Sequence, residues 1–334
     1  MADQKIACGI VLYNPDFRRL KLTIASVCDQ VSGLIFVDNG SGQDCACQIR
    51  ELLTEGYGKN TDDILIENHE NRGIAAALNQ IMTQAERMGY SHVLTLDDDS
   101  RCDAELVRVL KHCLRYPKAG MICPDAVQED ESHDQEEEAN ADDNATGFGT
   151  CCKRSPMNGM SHHVSLAEDC ITAGSLVSVA AWRESGGFDE KMFIDFVDMD
   201  FCATLREHGY RIYHVSNIAV HQRYGNVSKS FRIFGRKFYR FNYPPARIYY
   251  SVRNQIYFIR KHRGRHSIRV LERLLFLFGY IGKHLVFENN RAACAKAMLQ
   301  GCKEGAVMRT TVSGFQRTVL RSKTDALRSE RTDL

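Results

Sequence analysis

Two hydrophobic periods alternate along the first 125 residues. Ile6–Tyr13 is a continuous apolar run that reads as a buried strand, and Phe17, Leu20, Ile24, Val27 and Val31 then recur at helical spacing. Leu34–Val37 predicts a second strand ending at Asp38. Ile49, Leu52 and Leu53 predict a short helix, and Ile64–Ile66 a third strand. Ile74, Ala77, Leu78, Ile81, Met82, Ala85 and Met88 mark the clearest amphipathic helix. Val93–Leu96 predicts a fourth strand running into Asp97, Asp98 and Asp99. Leu106, Val107 and Leu110 give a further helix, and Gly120–Cys123 a further strand. Strands alternating with helices predict an α/β fold whose mostly parallel sheet is covered on both faces.

The rhythm stops over residues 126–166, where Glu129–Asp143 is strongly acidic and almost without large apolar residues. It reads as an exposed, mobile insertion. Ile171–Val179 returns to strand character with Gly174 inside it, followed by a turn at Gly186-Gly187. Phe196–His208 reads as a helix closed by Gly209. Tyr210–Val215 and Ile218–Val220 read as two short strands. Beyond Asn242 the chain turns helical: Ile248, Val252, Ile256 and Ile259 form one stripe, Val270 to Phe278 another, and Gly301 and Gly305 punctuate the end. The tail from about Lys323 is polar and reads as frayed. The expected organisation is an α/β domain over residues 1–240 and a basic helical region over 241–334.

Charge sharpens that division. Residues 1–200 carry 17 Lys and Arg against 35 Asp and Glu; residues 201–334 carry 26 against 7. The basic part suits an anionic membrane surface, with Arg247, Arg260, Lys261, Arg263 and Arg265 among the candidates for headgroup contact. No nucleic-acid motif accompanies it, so no nucleic-acid partner is expected. The longest strongly apolar run, Leu274 to Ile281, is under half of the ~20 residues needed to span a bilayer. Met1 to Lys5 lead straight into a strand without a signal peptide, and 13 unpatterned cysteines suit reduced thiols. The expected location is the cytoplasm, with peripheral contact to the inner face of the membrane.

The densest chemical signal is Leu94-Thr95-Leu96-Asp97-Asp98-Asp99-Ser100. Three adjacent carboxylates at a strand end repel one another, and a divalent cation carrying a diphosphate would offset that repulsion; oxygen donors suit Mg²⁺ or Mn²⁺. An acidic helix start would look the same locally. Asp38-Asn39-Gly40-Ser41-Gly42 is a second strand-end acid, but its acid precedes the glycines, which excludes the dinucleotide fingerprint. Asn71-Arg72-Gly73 opens the strongest helix, where anionic groups can sit. Asp195, Asp198 and Asp200 fall at a spacing that could place them on one helical face, and one of them held near a hydroxyl could act as general base. His221 follows the last apolar strand, and it gains meaning only if the fold brings it to the acidic edge.

In their order these motifs resemble family 2 glycosyltransferases, the inverting kind with the GT-A fold, and within them the rhamnosyltransferases of bacterial surface polysaccharide. The matching pieces are Ile10-Val11-Leu12-Tyr13-Asn14-Pro15, Val37–Ser41, Asn71–Ala75, the aspartate triplet, Gly186–Glu190, Phe193-Ile194-Asp195, Val197-Asp198 and His221, with a weaker extension through Tyr249-Tyr250, Arg253-Asn254 and Gly301–Gly305. The resemblance implies that Asp38 bonds the nucleotide base, Asn71 and Gly73 shape its pocket, and Asp97 lies near the ribose. It implies that Asp99 binds Mg²⁺ or Mn²⁺ with His221 completing the site, and that Asp198 is the catalytic base. Trp182 becomes a candidate acceptor contact, and Arg223 and Tyr224 fall in a loop that closes over the donor. The family often has Glu-Asp where this chain has Val197-Asp198, which leaves Asp195 as a rival base; Asp200 stands where the rhamnosyl subgroup often has Glu. The implied donor is dTDP-rhamnose and the acceptor a saccharide, free or lipid-linked. A UDP-hexose or furanose donor is the nearest alternative, and an inactive nucleotide-sugar-binding scaffold is one of another class. A nucleotidyltransferase would need a Gly-rich basic loop that Leu12–Arg19 lacks.

Overall fold

The structure, a computed structural model, describes residues 4–54, 63–129, 162–222, 229–233, 236–240, 243–265, 268–288 and 290–310; over 229–233 and 236–240 it describes the backbone alone. The acidic stretch 130–161, the loop holding Arg223 and Tyr224, and the tail from Lys323 lie outside the described residues. The chain divides into two compact units. The first comprises Met1–Asn71, Gln80–Val179 and Arg211–Arg223, and the second Arg72–Asn79, Ala180–Tyr210 and Tyr224–Leu334.

The chain runs β1 (Ile6–Leu12), α1 (Phe17–Val27), β2 (Leu34–Asp38), α2 (Gln43–Thr54), β3 (Ile64–Glu67), α3 (Ile74–Arg87), β4 (His92–Asp97), β5 (Arg101–Cys102) and α4 (Leu106–His112). It continues with β6 (Ala119–Gln128), β7 (Val164–Ala167), β8 (Ser175–Ser178), α5 (Val179–Ser185), α6 (Val197–Glu207) and β9 (Arg211–Gln222). The remaining elements are β10 (Lys229–Ile233), β11 (Arg236–Arg240), α7 (Pro245–His262), α8 (Val270–Phe287) and α9 (Arg291–Val307).

In the first unit a nine-stranded sheet has the order β3-β2-β1-β4-β8-β6-β9-β5, with β7 also on β9. The first four strands pair in parallel, with β1 and β2 wholly buried and Thr95 buried within β4, and the helices between them supply the crossovers. Beyond β4 the sheet is mixed: β8 runs antiparallel to β4 and β6, while β6 and β9 pair in parallel. The core gathers Ile10, Leu12, Leu20, Ile24, Phe36, Leu94 and Leu96 among others. Gly9 has a packing reason: a Cβ there would lie 2.2 Å from Ile81 on α3.

Three strand expectations are corrected. The strand expected over Ile171–Val179 begins only at Ser175, because Ile171–Gly174 is a turn in which the Ser175 hydroxyl donates to the Ile171 carbonyl and Gly174 is left-handed (φ 78°). The two short strands expected over residues 210–220 are one strand, β9. It absorbs a register shift around Asn217, whose φ is 63° and whose N–H donates to Asp125. The insertion is narrower than residues 126–166, since β6 reaches Gln128 and β7 starts at Val164.

In the second unit α5 ends on the double glycine, with Gly186 and Gly187 both left-handed and Gly187 N–H donating to Trp182 O. Helices α7 and α9 approach closely: a Cβ on Gly301 would lie 2.7 Å from Tyr249 O, and one on Gly305 2.5 Å from Arg253 O. Ile248, Val252, Leu277, Cys294 and Met298 form the core of this helical group.

Candidate active site

In the first unit the chain visits β1, β2 and β3 to one side and returns to β4 on the other side of β1. Ligands of open α/β sheets bind at the carboxyl ends of strands at such a reversal. Asp38 ends β2 in register with Leu12 of β1, and Asp97 ends β4 in register with Val11. Two strand spacings therefore separate them, about 10 Å. Both acids lie on the edge that the sequence predicts.

Asp38 is 2% exposed and its carboxylate accepts from Ser41 N at 3.0 Å. Beside it runs a ladder of amides. Asn39 Nδ2 donates to Asn71 Oδ1 at 3.1 Å, and Asn68 Nδ2 donates to Asn39 Oδ1 at 3.1 Å and to Gln80 Oε1 at 2.9 Å. Gly40 lets the two loops meet: its φ is 85°, and a Cβ would fall 2.4 Å from the Glu70 backbone. Asn14, just beyond β1, accepts from Gly42 N and donates its own N–H to Ser41 Oγ. These contacts fix the loops around Asp38 and Asn71.

At the end of β4, Gln222 from β9 donates to Asp97 at 3.4 Å and to Ser100 Oγ at 3.0 Å. The Asp98 carboxyl is raised to about 6 by burial first and by the neighbouring Asp99 charge second, although it accepts from Tyr13 N–H. His221 is paired across the sheet with Arg101, and its Nε2 lies 3.0 Å from Asp103 Oδ1. Burial raises Asp103, but His221, the N–H of Ala219 and the Arg101 charge outweigh it and hold the carboxyl below its ordinary value. Arg19 and Arg101 both pair with Glu129, at 2.8 and 3.0 Å. That cationic pair, which pattern reading passed over, draws on three distant segments and leaves no local signal.

Among the described residues, no group of three or more His, Cys, Asp and Glu side chains is gathered to hold a metal ion. The donor chemistry nevertheless fits a hard divalent cation: adjacent carboxylates at a strand end, in a number that Mg²⁺ supplements with phosphate oxygens. His221 has one ring nitrogen engaged by Asp103, so a cation would have to be met by Nδ1.

In the second unit, three acids expected on one helical face part company. Asp195 precedes α6 in a left-handed conformation (φ 63°), followed by Phe196 in the same conformation (φ 65°), and its carboxylate accepts from Ser251 Oγ and from Arg247 Nη2. Such pairs of strained non-glycine residues concentrate at functional sites. Asp200 is buried and ion-paired with Lys261 at 2.7 Å and His262 at 2.9 Å. Asp198 is half-buried in the first turn of α6, where the helix dipole favours an acid. Gly73 packs under the preceding loop: its φ is 83°, a Cβ would lie 2.5 Å from Phe193 O, and Ile74 N donates to that carbonyl at 2.8 Å.

Trp182, the candidate acceptor contact, lies inside the second unit. It is 1% exposed, and its indole N–H donates to Asn79 Oδ1 at 3.0 Å. That same oxygen accepts from Phe188 N, and Asn79 Nδ2 returns a bond to Phe188 O. The residue is a satisfied core tryptophan. The basic set is also redistributed. Arg247 is engaged with Asp195, Lys261 with Asp189 and Asp200, and Arg265 with Glu207 at 2.8 Å, while Arg260 donates to the carbonyls of Gly305 and Met308 and Arg263 is exposed.

Comparison with known proteins accords with this architecture. The glycosyl transferase family 2 profile matches residues 8–161, and that of glycosyl transferase family group 2 matches residues 92–310. A dTDP-rhamnosyl transferase of Shigella flexneri, RfbF, is 25% identical over 274 residues, covering 78% of this chain and 81% of that protein. Residues 1–349 of TarS from S. aureus superpose with a TM-score of 0.53 at 12% identity, over 92% of this chain and 82% of that one. A longer TarS chain gives 0.50 at 13% identity over 86% of this chain, which spans only 44% of it. GalNAc-T7, solved with UDP, GalNAc and Mn²⁺, gives 0.51 at 11% identity, over 83% of this chain and 54% of that one. No described helix is long and apolar enough to cross a membrane. With the GT-A-like fold, the strand-end acids and two family profiles in agreement, the chain belongs to the family 2 group of glycosyl transferases.

Proposed function

We propose that this glycosyltransferase moves L-rhamnose from dTDP-rhamnose, with inversion, onto a saccharide acceptor carried on a lipid, in the synthesis of bacterial surface polysaccharide. The observation that carries the donor is the 25% identity, over 274 residues, to a dTDP-rhamnosyl transferase. The placement of Asp38 and Asp97 on strands flanking β1 supports the same reading.

On this reading Asp38 bonds the base, Asn71 and Gly73 shape the nucleotide pocket, and Asp97 meets the ribose. Asp99, with His221, would hold Mg²⁺ or Mn²⁺. When bound, the cation offsets the negative charge that grows on the departing diphosphate. Asp198 takes the proton from the acceptor hydroxyl while that oxygen bonds to the anomeric carbon and the bond to the diphosphate oxygen breaks. A β-L-rhamnosyl donor then gives an α-L-rhamnoside, with no covalent intermediate. Asp198 is favoured over Asp195 because it stands at the family's position for the base, in the first turn of α6. The exposed cations of the helical region hold the chain at the cytoplasmic face of the membrane, where a lipid-linked acceptor resides.

Thermal-shift measurements with dTDP, UDP and GDP, each with Mg²⁺ or Mn²⁺, followed by a donor panel on a lipid-linked saccharide, test this. Stabilisation by dTDP and turnover of dTDP-rhamnose are expected. Preference for a UDP-hexose or furanose moves the donor, and binding without turnover of any donor supports a scaffold instead.

A further inference from the structure

Helix α8 is apolar on two opposite faces. Its inner face buries Leu277 against Ile248, Val252, Cys294 and Met298. Its outer face exposes Leu271 (72%), Leu275 (64%), Phe278 (67%) and Leu285 (40%). These positions, with Gly282 between the last two, recur at the spacing that draws a single line along an α-helix. Val286 is exposed beside the line. A globular surface helix normally places charge there, and contiguous apolar surface of this kind marks an interaction site. The 18 residues span about 27 Å, but α8 is not apolar enough to cross a bilayer, so it can only lie along one.

The fringe of the stripe selects the partner. Arg263 and Arg269 are exposed before the helix and Arg291 after it, whereas Glu272, 3.8 Å from Arg269, is the one exposed acid among the described residues from 263 to 296. A cationic rim repels a second copy of itself and complements an anionic headgroup layer. We propose that α8 lies in the interface of an anionic bilayer, with Leu271, Leu275, Phe278 and Leu285 facing the acyl chains and Arg263, Arg269 and Arg291 at the lipid phosphates. The inference rests on the membrane part of the reading above and is independent of its transfer chemistry. It replaces diffuse attraction by basic residues with one inserted helix face.

The test is flotation of the full chain with vesicles of phosphatidylglycerol and phosphatidylethanolamine, against vesicles of phosphatidylcholine alone. The wild type floats with the anionic vesicles. Leu275→Glu with Phe278→Glu lowers the bound fraction about tenfold or more at an unchanged melting temperature, since both side chains are exposed. Arg263→Gln with Arg269→Gln and Arg291→Gln weakens binding less and lowers its sensitivity to salt. Equal flotation of the Leu275/Phe278 variant and the wild type overturns the insertion and leaves a purely basic attachment. A wild type that stays unbound, yet sediments as a dimer that the same variant disperses, assigns the stripe to a second copy and overturns the proposal. Donor turnover without vesicles separates the two readings: an inactive protein that floats sinks only the transfer reading, and an active one that does not float sinks only this one.

Discussion

The side-chain amide of Asn254 donates to the carbonyl oxygen of Ile194 at 2.7 Å, from a position with no solvent exposure. The same nitrogen lies 3.0 Å from Asp195 O and 3.3 Å from Met192 O. Two protons thus serve three carbonyls and fix the loop whose last two residues, Asp195 and Phe196, are left-handed before the first turn of α6. Asn254→Ala is expected to lower the unfolding free energy by about 1–3 kcal/mol, and to lower kcat with the donor KM unchanged, because Asp198 is carried by that turn. Asn254→Asp is the harsher change, since carboxylate oxygens cannot donate to carbonyls. Urea unfolding alongside steady-state kinetics checks both; an Asp variant as stable as the Ala variant contradicts the clamp.

A buried ion network sets the pH dependence of stability. His262 faces Glu207 through Nδ1 at 2.6 Å and Asp200 through Nε2 at 2.9 Å, with Lys261 bridging Asp200 and Asp189. Burial disfavours the imidazolium, but the bonds to Asp200 and Glu207 outweigh it and raise the ring above its ordinary value. The folded value therefore exceeds the unfolded one, about 6.5. Its contribution is complete below that pH and is lost as pH rises through the folded value. Asp200 moves the other way: burial raises it, Lys261 and His262 pull it lower, and its contribution is lost as pH falls through its depressed value. The urea midpoint is expected to fall on the alkaline side, with a flatter slope in His262→Asn. Asp200→Asn, which removes the shared partner of Lys261 and His262 and leaves Lys261 with Asp189 alone, costs about 3–5 kcal/mol. A midpoint constant from pH 6 to 9 in the wild type contradicts the assignment.

Trp182→Phe separates a core role from an acceptor role. The indole donates to Asn79, which also ties down Phe188. The variant is expected to lose about 1–3 kcal/mol of stability through the lost bond and volume, with the acceptor KM unchanged. A raised acceptor KM at full stability restores Trp182 to the acceptor site.

β1, β2 and the first helices were legible because each buries an apolar run or one helical stripe, and because β2 and β4 each end at an acid, Asp38 and Asp97. The start of β8 was not, since Ile171 and Ala173 look like strand residues while a single hydroxyl, Ser175, commits them to a turn. Two-residue β5 and four-residue β7 carry too little pattern to stand out. The fates of Asp198 and Asp200 differ for a reason no local window contains: Lys261, 61 residues onward, reaches Asp200. Trp182 illustrates the same limit, because an aromatic beside a double glycine suits a core or a binding surface equally until its neighbours are known.

Steady-state rhamnosyl transfer by Asp198→Asn, with dTDP affinity measured on the same protein, bears most directly on the proposed chemistry. The expected result is a fall in kcat of about 10²–10⁴-fold with dTDP binding intact, while Asp195→Asn loses stability. Near-normal turnover by Asp198→Asn would contradict the account.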